Sequence, residues 1–405
     1  MSKVPKLRFP EFEGEWEEKE LGEIFQRITT KNTENNQNIL TISAQKGLVS
    51  QLDFFNKTVA SKNLIGYYLI EKNDFAYNKS ISAGYPMGAI KPLLDYDKGV
   101  VSTLYICFRI KYQNIVTFYA QYFDAGLLNT QLKKITQEGA RSHGLLNISI
   151  KDFFEKINVL SPSTEEQQKI ADCLSSLDEL IEARREKIAS LKAYKKGLLQ
   201  QLFPQEVCNN YPPHPLIFSK LPKVRFAGFE EEWEEVKLGD VVEIIKGEQK
   251  NKLSLSNTGK YYVMNGGIAP SGYTNSYNTD KDTISISEGG NSCGYIQYNK
   301  EKFWSGGHCY TLHIHDNYKN KIDNFYLYQY LKAKEGYIMG LRVGSGLPNI
   351  QKITLQNVIV YFPSLTEQQK IADCLLSLDE KIAAETEQVA QLQQHKKGLL
   401  QQLLV

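Results

Sequence analysis

Apolar side chains recur at steps of three and four in two stretches of the chain. The first runs through Ile170, Leu174, Leu177, Ile181, Ile188, Leu191, Leu198 and Leu202, with Arg184 and Lys195 completing the series. The second runs through Ile371, Leu375, Leu378, Ile382, Val389, Leu392, Leu399 and Leu403, with Glu385 and Lys396 in the matching places. This spacing is the a/d seam of a coiled-coil helix. Pro162 and Pro363 stand just upstream, where a helix start tolerates them. Ser163 or Thr164 in one copy, and Ser364 or Thr366 in the other, are the candidate N-caps. At 1.5 Å per residue each helix is roughly 55 Å long. Two equal seams in one chain most simply bury each other as an antiparallel pair. The alternative is that each helix packs on the globular segment that precedes it.

Elsewhere the pattern is that of strands and turns. Residues 20–160 and 237–362 are rich in Tyr, Asn, Ser, Gly and β-branched side chains, with strand-like runs such as 99–110 and 282–287. Turn clusters such as Asn265-Gly266-Gly267 and Gly289-Gly290-Asn291-Ser292 punctuate them. Short helices are expected near 114–134 and 322–338. The fold class is therefore α+β: two mixed α/β globules of mainly antiparallel strands, joined by two long helices.

The chain is an alternating repeat. Val4-Pro5-Lys6-Leu7-Arg8-Phe9, Trp16-Glu17-Glu18 and Leu21-Gly22 return as Leu221-Pro222-Lys223-Val224-Arg225-Phe226, Trp233-Glu234-Glu235 and Leu238-Gly239, at a constant shift of 217. The helices repeat at a shift of 201, so the globular segments differ in length by 16 residues and share little identity past their openings. The helices supply a common geometry under a pseudo-twofold repeat, and each globule carries something of its own. The segments expected are 1–163, a first globule; 164–203, a central helix; 204–220, a Pro-rich linker; 221–363, a second globule; and 364–405, a C-terminal helix.

Composition narrows the function. The chain has 405 residues, 41% hydrophobic, a formal net charge of +2 and six cysteines. No apolar run approaches the ~18 residues of a membrane span. The opening residues carry no apolar stretch after their basic ones, and no CxxC occurs, so a reducing cytoplasm is the expected setting. No GxGxxG follows a strand, and neither GxxxxGK[ST] nor HExxH occurs. The single Pro-Pro, in Tyr211-Pro212-Pro213-His214, lacks the polar and aromatic neighbours of an amino-methylase motif. His308, Cys309, His313 and His315 have spacing that could hold zinc, but the first half offers no counterpart and packing is the better account. Glu17-Glu18-Lys19 resembles the end of a nuclease ExK triplet, yet its copy ends in Val236. No catalytic residue, metal site or cofactor is assigned.

These residues resemble a known family. Two divergent globules, each followed by EQQKIAxxLxxLDE (Glu166–Glu179, Glu367–Glu380) and then by an ending KKGLLQQLF (Lys195–Phe203, and again Lys396–Leu404), are similar to the specificity (S) subunit of type I restriction–modification systems. The openings Pro5–Glu23 and Pro222–Asp240 look like that family too. The resemblance implies a subunit without chemistry of its own. Its two target recognition domains each read one half of a bipartite double-stranded DNA site, and its helices set the gap between the halves. Two methyltransferase subunits using S-adenosylmethionine, and restriction/translocase subunits using ATP and Mg, would supply the reactions. The alternative is a coiled-coil scaffold that binds proteins only.

Candidate DNA-reading residues come from polar loops. In the first globule they are Lys46, Asn78, Lys79, Ser80, Tyr85, Arg141, Ser142 and His143; in the second, Lys246, Asn265, Asn291, Arg342, Ser345 and Asn349. Arginine and asparagine match guanine and adenine edges, and lysine matches phosphate. The last loop of each globule, 137–148 and 341–350, places one Arg and one Asn before an apolar stretch that leads to the helix. Lys195-Lys196 and Lys396-Lys397 are expected to favour the negative ends of their helix dipoles. The two helices are neutral and −2, leaving +4 for the remainder. That is too little for strong stand-alone binding of DNA, where phosphate neutralisation dominates affinity. Partner subunits are expected to supply part of the charge.

Overall fold

The computed structural model describes residues 3–43, 47–52, 64–111, 115–136, 144–207, 217–218, 220–344 and 346–405. Two compact units emerge: residues 1–185 with 387–405, and residues 186–386. Each unit takes the first half of the long helix that follows its globule and the last turns of the other long helix. Both packings weighed from the sequence are therefore realised, one at each end of each helix.

The long helices span Thr164–Leu202 and Leu365–Leu403. Ser163 caps the first, its hydroxyl accepting from Glu166 N at 3.3 Å, and Ser364 stands in the same place before the second. Thr164 and Thr366 lie inside the helices and are not caps. In the first unit Leu7 N donates to Gln402 O beside the Arg8–Glu166 pair, and Lys396 reaches Asp178 twelve residues further along. In the second unit Val224 N donates to Gln201 O beside Arg225–Glu367, and Lys195 reaches Asp379. Within each unit the two helices thus run antiparallel. Ile170, Leu174, Ile181, Leu202, Ile371, Leu375, Leu378 and Leu403 are buried, whereas Leu177, Ile188, Leu191, Leu198, Ile382, Val389, Leu392 and Leu399 are half-buried. The seam is fully covered where a globule adds a third partner. Glu385, which breaks the seam, pairs with Lys187 at 2.6 Å.

The opening motifs become legible as packing. Trp16 and Trp233 are buried. Strand Glu17–Glu20 pairs antiparallel with Asn158–Ser161, and Glu234–Lys237 with Ile359–Phe362, so the start of each globule is laced to the strand that enters the helix. Exposed Glu17 pairs with half-buried Lys19 two residues along the strand, an ion pair at the surface rather than a nuclease triplet. Leu21 and Leu238 are fully buried on one-turn helices. Gly22 and Gly239 lie against the helices Ile150–Glu155 and Lys352–Gln356. A Cβ would come to 3.0 Å from Phe154 O in one copy and 2.8 Å from Gln356 Cβ in the other.

Both globules share one sheet topology despite their lost identity. The first orders its strands Phe25–Ile28, Ile106–Ile110, Phe75–Asn78, Ala89–Pro92; the second orders Val242–Lys246, Cys309–Ile314, Thr283–Ser287, Ile296–Asn299. Every pairing in these two sheets is antiparallel. The parallel contact of Val263–Met264 with Trp304–Ser305 is an exception outside them. Helices Val116–Asp124 and Asn129–Ile135 in the first globule, and Asn324–Ala333 and Glu335–Gly340 in the second, cover the sheets where short helices were expected. Buried Phe203 follows the central helix, and the Pro-rich segment after it carries a two-residue strand pair, Glu206–Val207 with Ile217–Phe218.

Candidate nucleic-acid interface

Conserved geometry between the halves begins at the helix starts. Glu166 is 2% exposed and accepts from Arg8 Nε and Nη2, each at 2.8 Å. Glu367 is 1% exposed and accepts from Arg225 at 2.9 and 2.7 Å. The carboxylates hold both guanidinium pKa values above the usual range. The next residue ties down a loop. Gln167 donates to Pro162 O and accepts from Ile115 N; Gln368 donates to Pro363 O and Lys321 O and accepts from Asp323 N. Asp178 accepts from Lys396 and Gln121, and Asp379 accepts from Lys195 and Gln329. The repeated motifs are therefore two copies of one fastening. Lys195 and Lys396 serve carboxylates within their units, several residues before the last turn, and not the helix dipole.

The loops that differ between halves gather at one end of each sheet. In the first globule Asn78 ends its strand, and its Oδ1 accepts from Ser80 N at 3.0 Å. Lys79 O accepts from Leu146 N, and Ile81 N donates to Gly144 O, so the chain leaving the 137–143 loop runs beside Asn78–Ile81. Burial lowers the Lys79 pKa. Tyr85 lies in the turn that follows, its backbone bonded to Ser82, and its ring and hydroxyl meet Lys91, which also holds Asp124 at 2.5 Å. Lys46, Arg141, Ser142 and His143 lie outside the described residues.

In the second globule the matching strand ends at Ser287, and Glu288 takes the place of Lys79: its carbonyl accepts from Ile350 N. Glu288 is a residue that sequence reasoning missed, and it organises the cluster. Its Oε1 accepts from Lys246 Nζ at 2.6 Å and from Tyr310 OH at 3.0 Å, and His308 Nδ1 stands 3.5 Å from Oε2. Asn265 Oδ1 accepts from His308 N. Gly266, at φ +81°, passes so close to the His308 backbone that a Cβ would sit 2.8 Å from its carbonyl oxygen. Exposed Asn349 bridges both Val343 and Gly289, and Gly290 N donates to Pro348 O. The structure thus brings Lys246, Asn265 and Asn349 together around Glu288–Gly290, with Asn291 and Arg342 exposed at the rim. Ser345 lies outside the described residues. Lys246 is already engaged by a carboxylate, which removes it from the set of free phosphate ligands.

Among the described residues no group of three His, Cys, Asp or Glu side chains is placed to hold a metal. His313 bonds Thr311 Oγ1 at 3.0 Å, and Cys309 is buried, its thiol pKa pushed up to about 11 by desolvation. Among the described residues no helix is long and apolar enough to cross a membrane.

A family model for the type I restriction modification DNA specificity domain matches residues 13–193 and 230–394, that is, both halves. The chain belongs to that family. The second match begins within the repeated opening, as expected for two copies of one specificity domain. A putative type I specificity subunit of Mycoplasma pneumoniae is 38% identical over 151 residues, 37% of this chain and 40% of that protein. A putative type I specificity subunit of Mycoplasma genitalium is 33% identical over 151 residues, 37% of this chain and 39% of that protein. These matches span about two fifths of each curated relative. The crystal structure of a type I restriction–modification S subunit from M. genitalium superposes with a TM-score of 0.60 at 18% identity, covering 99% of both chains. That likeness establishes the fold of the whole chain.

Proposed function

We propose that the chain is a DNA-sequence-recognition subunit without catalysis of its own. Each specificity domain reads one half of a bipartite duplex site, and the paired helices set the gap between the halves. The observation that carries this reading is the contrast within the repeat. The fastening residues are the same in both halves, whereas the loops at the same end of the same sheet differ in residue type, length and charge. A shared scaffold that displays two different polar loop sets suits two different half-sites.

The reactions belong to partner subunits: two methyltransferase subunits with S-adenosylmethionine, and restriction subunits with ATP and Mg, in the cytoplasm. Exposed Arg342 is the leading base-edge reader of the second domain, since a guanidinium pairs bidentately with guanine. Mapping methylated adenines in DNA from cells expressing the complex tests the reading directly. A single bipartite motif is expected, and Arg342→Ala should relax one half only, by about 1–3 kcal/mol at one position. Equal loss at both halves would refute the assignment of Arg342, and methylation with no bipartite motif would refute the function.

A further inference from the structure

We propose that the second specificity domain grips the sugar–phosphate backbone of duplex DNA with lysines braced on aromatic rings: Lys250, Lys260 and Lys302. This inference rests on the DNA-reading function proposed above and names a surface separate from the base-reading loops around Glu288. The Lys250 ammonium lies 3.6 Å from the Trp304 ring centroid and donates to Ser276 Oγ at 2.9 Å. Lys302 lies 4.2 Å from the Tyr277 ring and donates to its hydroxyl at 2.9 Å. Tyr277 packs against Tyr261 at 5.0 Å, and Lys260 lies 5.4 Å from the Tyr261 ring. The segments that carry them are knitted together: Asn278 exchanges hydrogen bonds with Ser305, and Lys260 N donates to Asn275 Oδ1. The three lysines thus stand on rings carried by segments that are bonded to one another.

Two further observations point to a polyanion. First, residues 246–279 contain Lys250, Lys252 and Lys260, besides the Lys246 that Glu288 neutralises, against a single acid, Glu248, a concentration of charge that the near-neutral whole conceals. Second, the rings leave the ammonium groups hydrogen-bonding capacity and carry no countercharge. Lys302 alone shares a carboxylate, Asp280 at 3.2 Å. A free lysine loses side-chain entropy when a phosphate fixes it. A ring that already restricts the side chain removes much of that cost while leaving the charge in place. Trp304 is itself anchored, donating from Nε1 to Glu248 O at 2.9 Å. These segments are continuous through Ser305–Gly307 with His308, beside Glu288. A duplex read at that cluster has its backbone within the same loops' reach.

The test is the salt dependence of duplex binding by the full chain with its co-expressed partner subunits, read by fluorescence anisotropy. Each phosphate neutralised contributes about 0.9 to the slope of log K against log salt. The K250M/K260M/K302M variant should lower that slope by about 2 to 3 and weaken matched and unmatched duplexes by the same factor. Trp304→Leu keeps every charge, so the slope should hold while affinity falls about two- to fivefold. Lys319→Met, a lysine paired with Asp316 on another loop, should change neither. Melting midpoints confirm that each variant is folded. An unchanged slope in the triple variant, with wild type binding duplex, overturns the clamp alone. A loss confined to one base position reassigns these lysines to base reading and also overturns it. Failure of the wild-type complex to bind any duplex overturns the underlying function as well.

Discussion

Arg8→Ala should destabilise the first unit far more than the loss of one surface cation would. Its partner Glu166 is 2% exposed and spends both oxygens on the guanidinium, at 2.8 Å each. Arg8 is itself only 15% exposed at the side chain. Removing it strands a carboxylate away from water, a loss of about 3–5 kcal/mol for breaking a buried pair. A unit of this size melts about 2–4 °C lower per kcal/mol, so the midpoint should fall by roughly 6–20 °C. Replacing both residues by methionine removes the stranded charge along with the pair. The double variant should then lie within ~1 kcal/mol of wild type. The assay is urea unfolding followed by tryptophan fluorescence in a W233F/W304F background, where Trp16 reports on the first unit alone. Trp16 is buried in the same core as Ile170 and Leu174, so its emission follows that core. A loss below ~1 kcal/mol in the single variant would refute the reasoning, because a buried pair cannot be broken so cheaply. So would a double variant as unstable as the two singles combined.

Two further outcomes follow from the fastening. Lys396→Met removes the ammonium held between the two oxygens of Asp178 at 2.7 Å. Asp178 is 46% exposed, so water screens the loss, and about 1 kcal/mol or less of stability should disappear at low salt and vanish at high salt. Leu378→Glu puts a charge into a site that is 8% exposed and should instead disrupt helix pairing, lowering the second unit's urea midpoint and the yield of assembled complex. Normal assembly with an unchanged midpoint would count against the pairing described here.

The first-half and second-half loops show where sequence reasoning stops. Lys246 reads as a phosphate ligand because a lysine in a polar, glycine-rich stretch is normally free. Its carboxylate partner, Glu288, lies 42 residues away and meets it only because two strands that flank Cys309–Ile314 end at the same edge of one sheet. The lysine-braced rings were invisible for the same reason: Lys250 and Trp304 are separated by 54 residues with no pattern to link them. The dipole role expected for Lys195 and Lys396 failed similarly, since the acids they meet lie on the other helix.

Periodicity and repetition nonetheless determined much. A heptad seam is a local property of spacing, so both long helices and their equal length could be read without any partner. A duplication leaves a constant shift, so the alternation of globule and helix was legible too, and with it the family. What only the tertiary structure decided is why those repeated residues are kept: Arg8 with Glu166, Arg225 with Glu367, and Gly22 and Gly239 against their helices. It also decided which polar loop residues remain free to meet a ligand. The physical reason is that a charge or a glycine acquires its role from what stands within a few ångströms of it. In sheets whose neighbouring strands are not consecutive in the chain, that neighbour comes from a distant part of it.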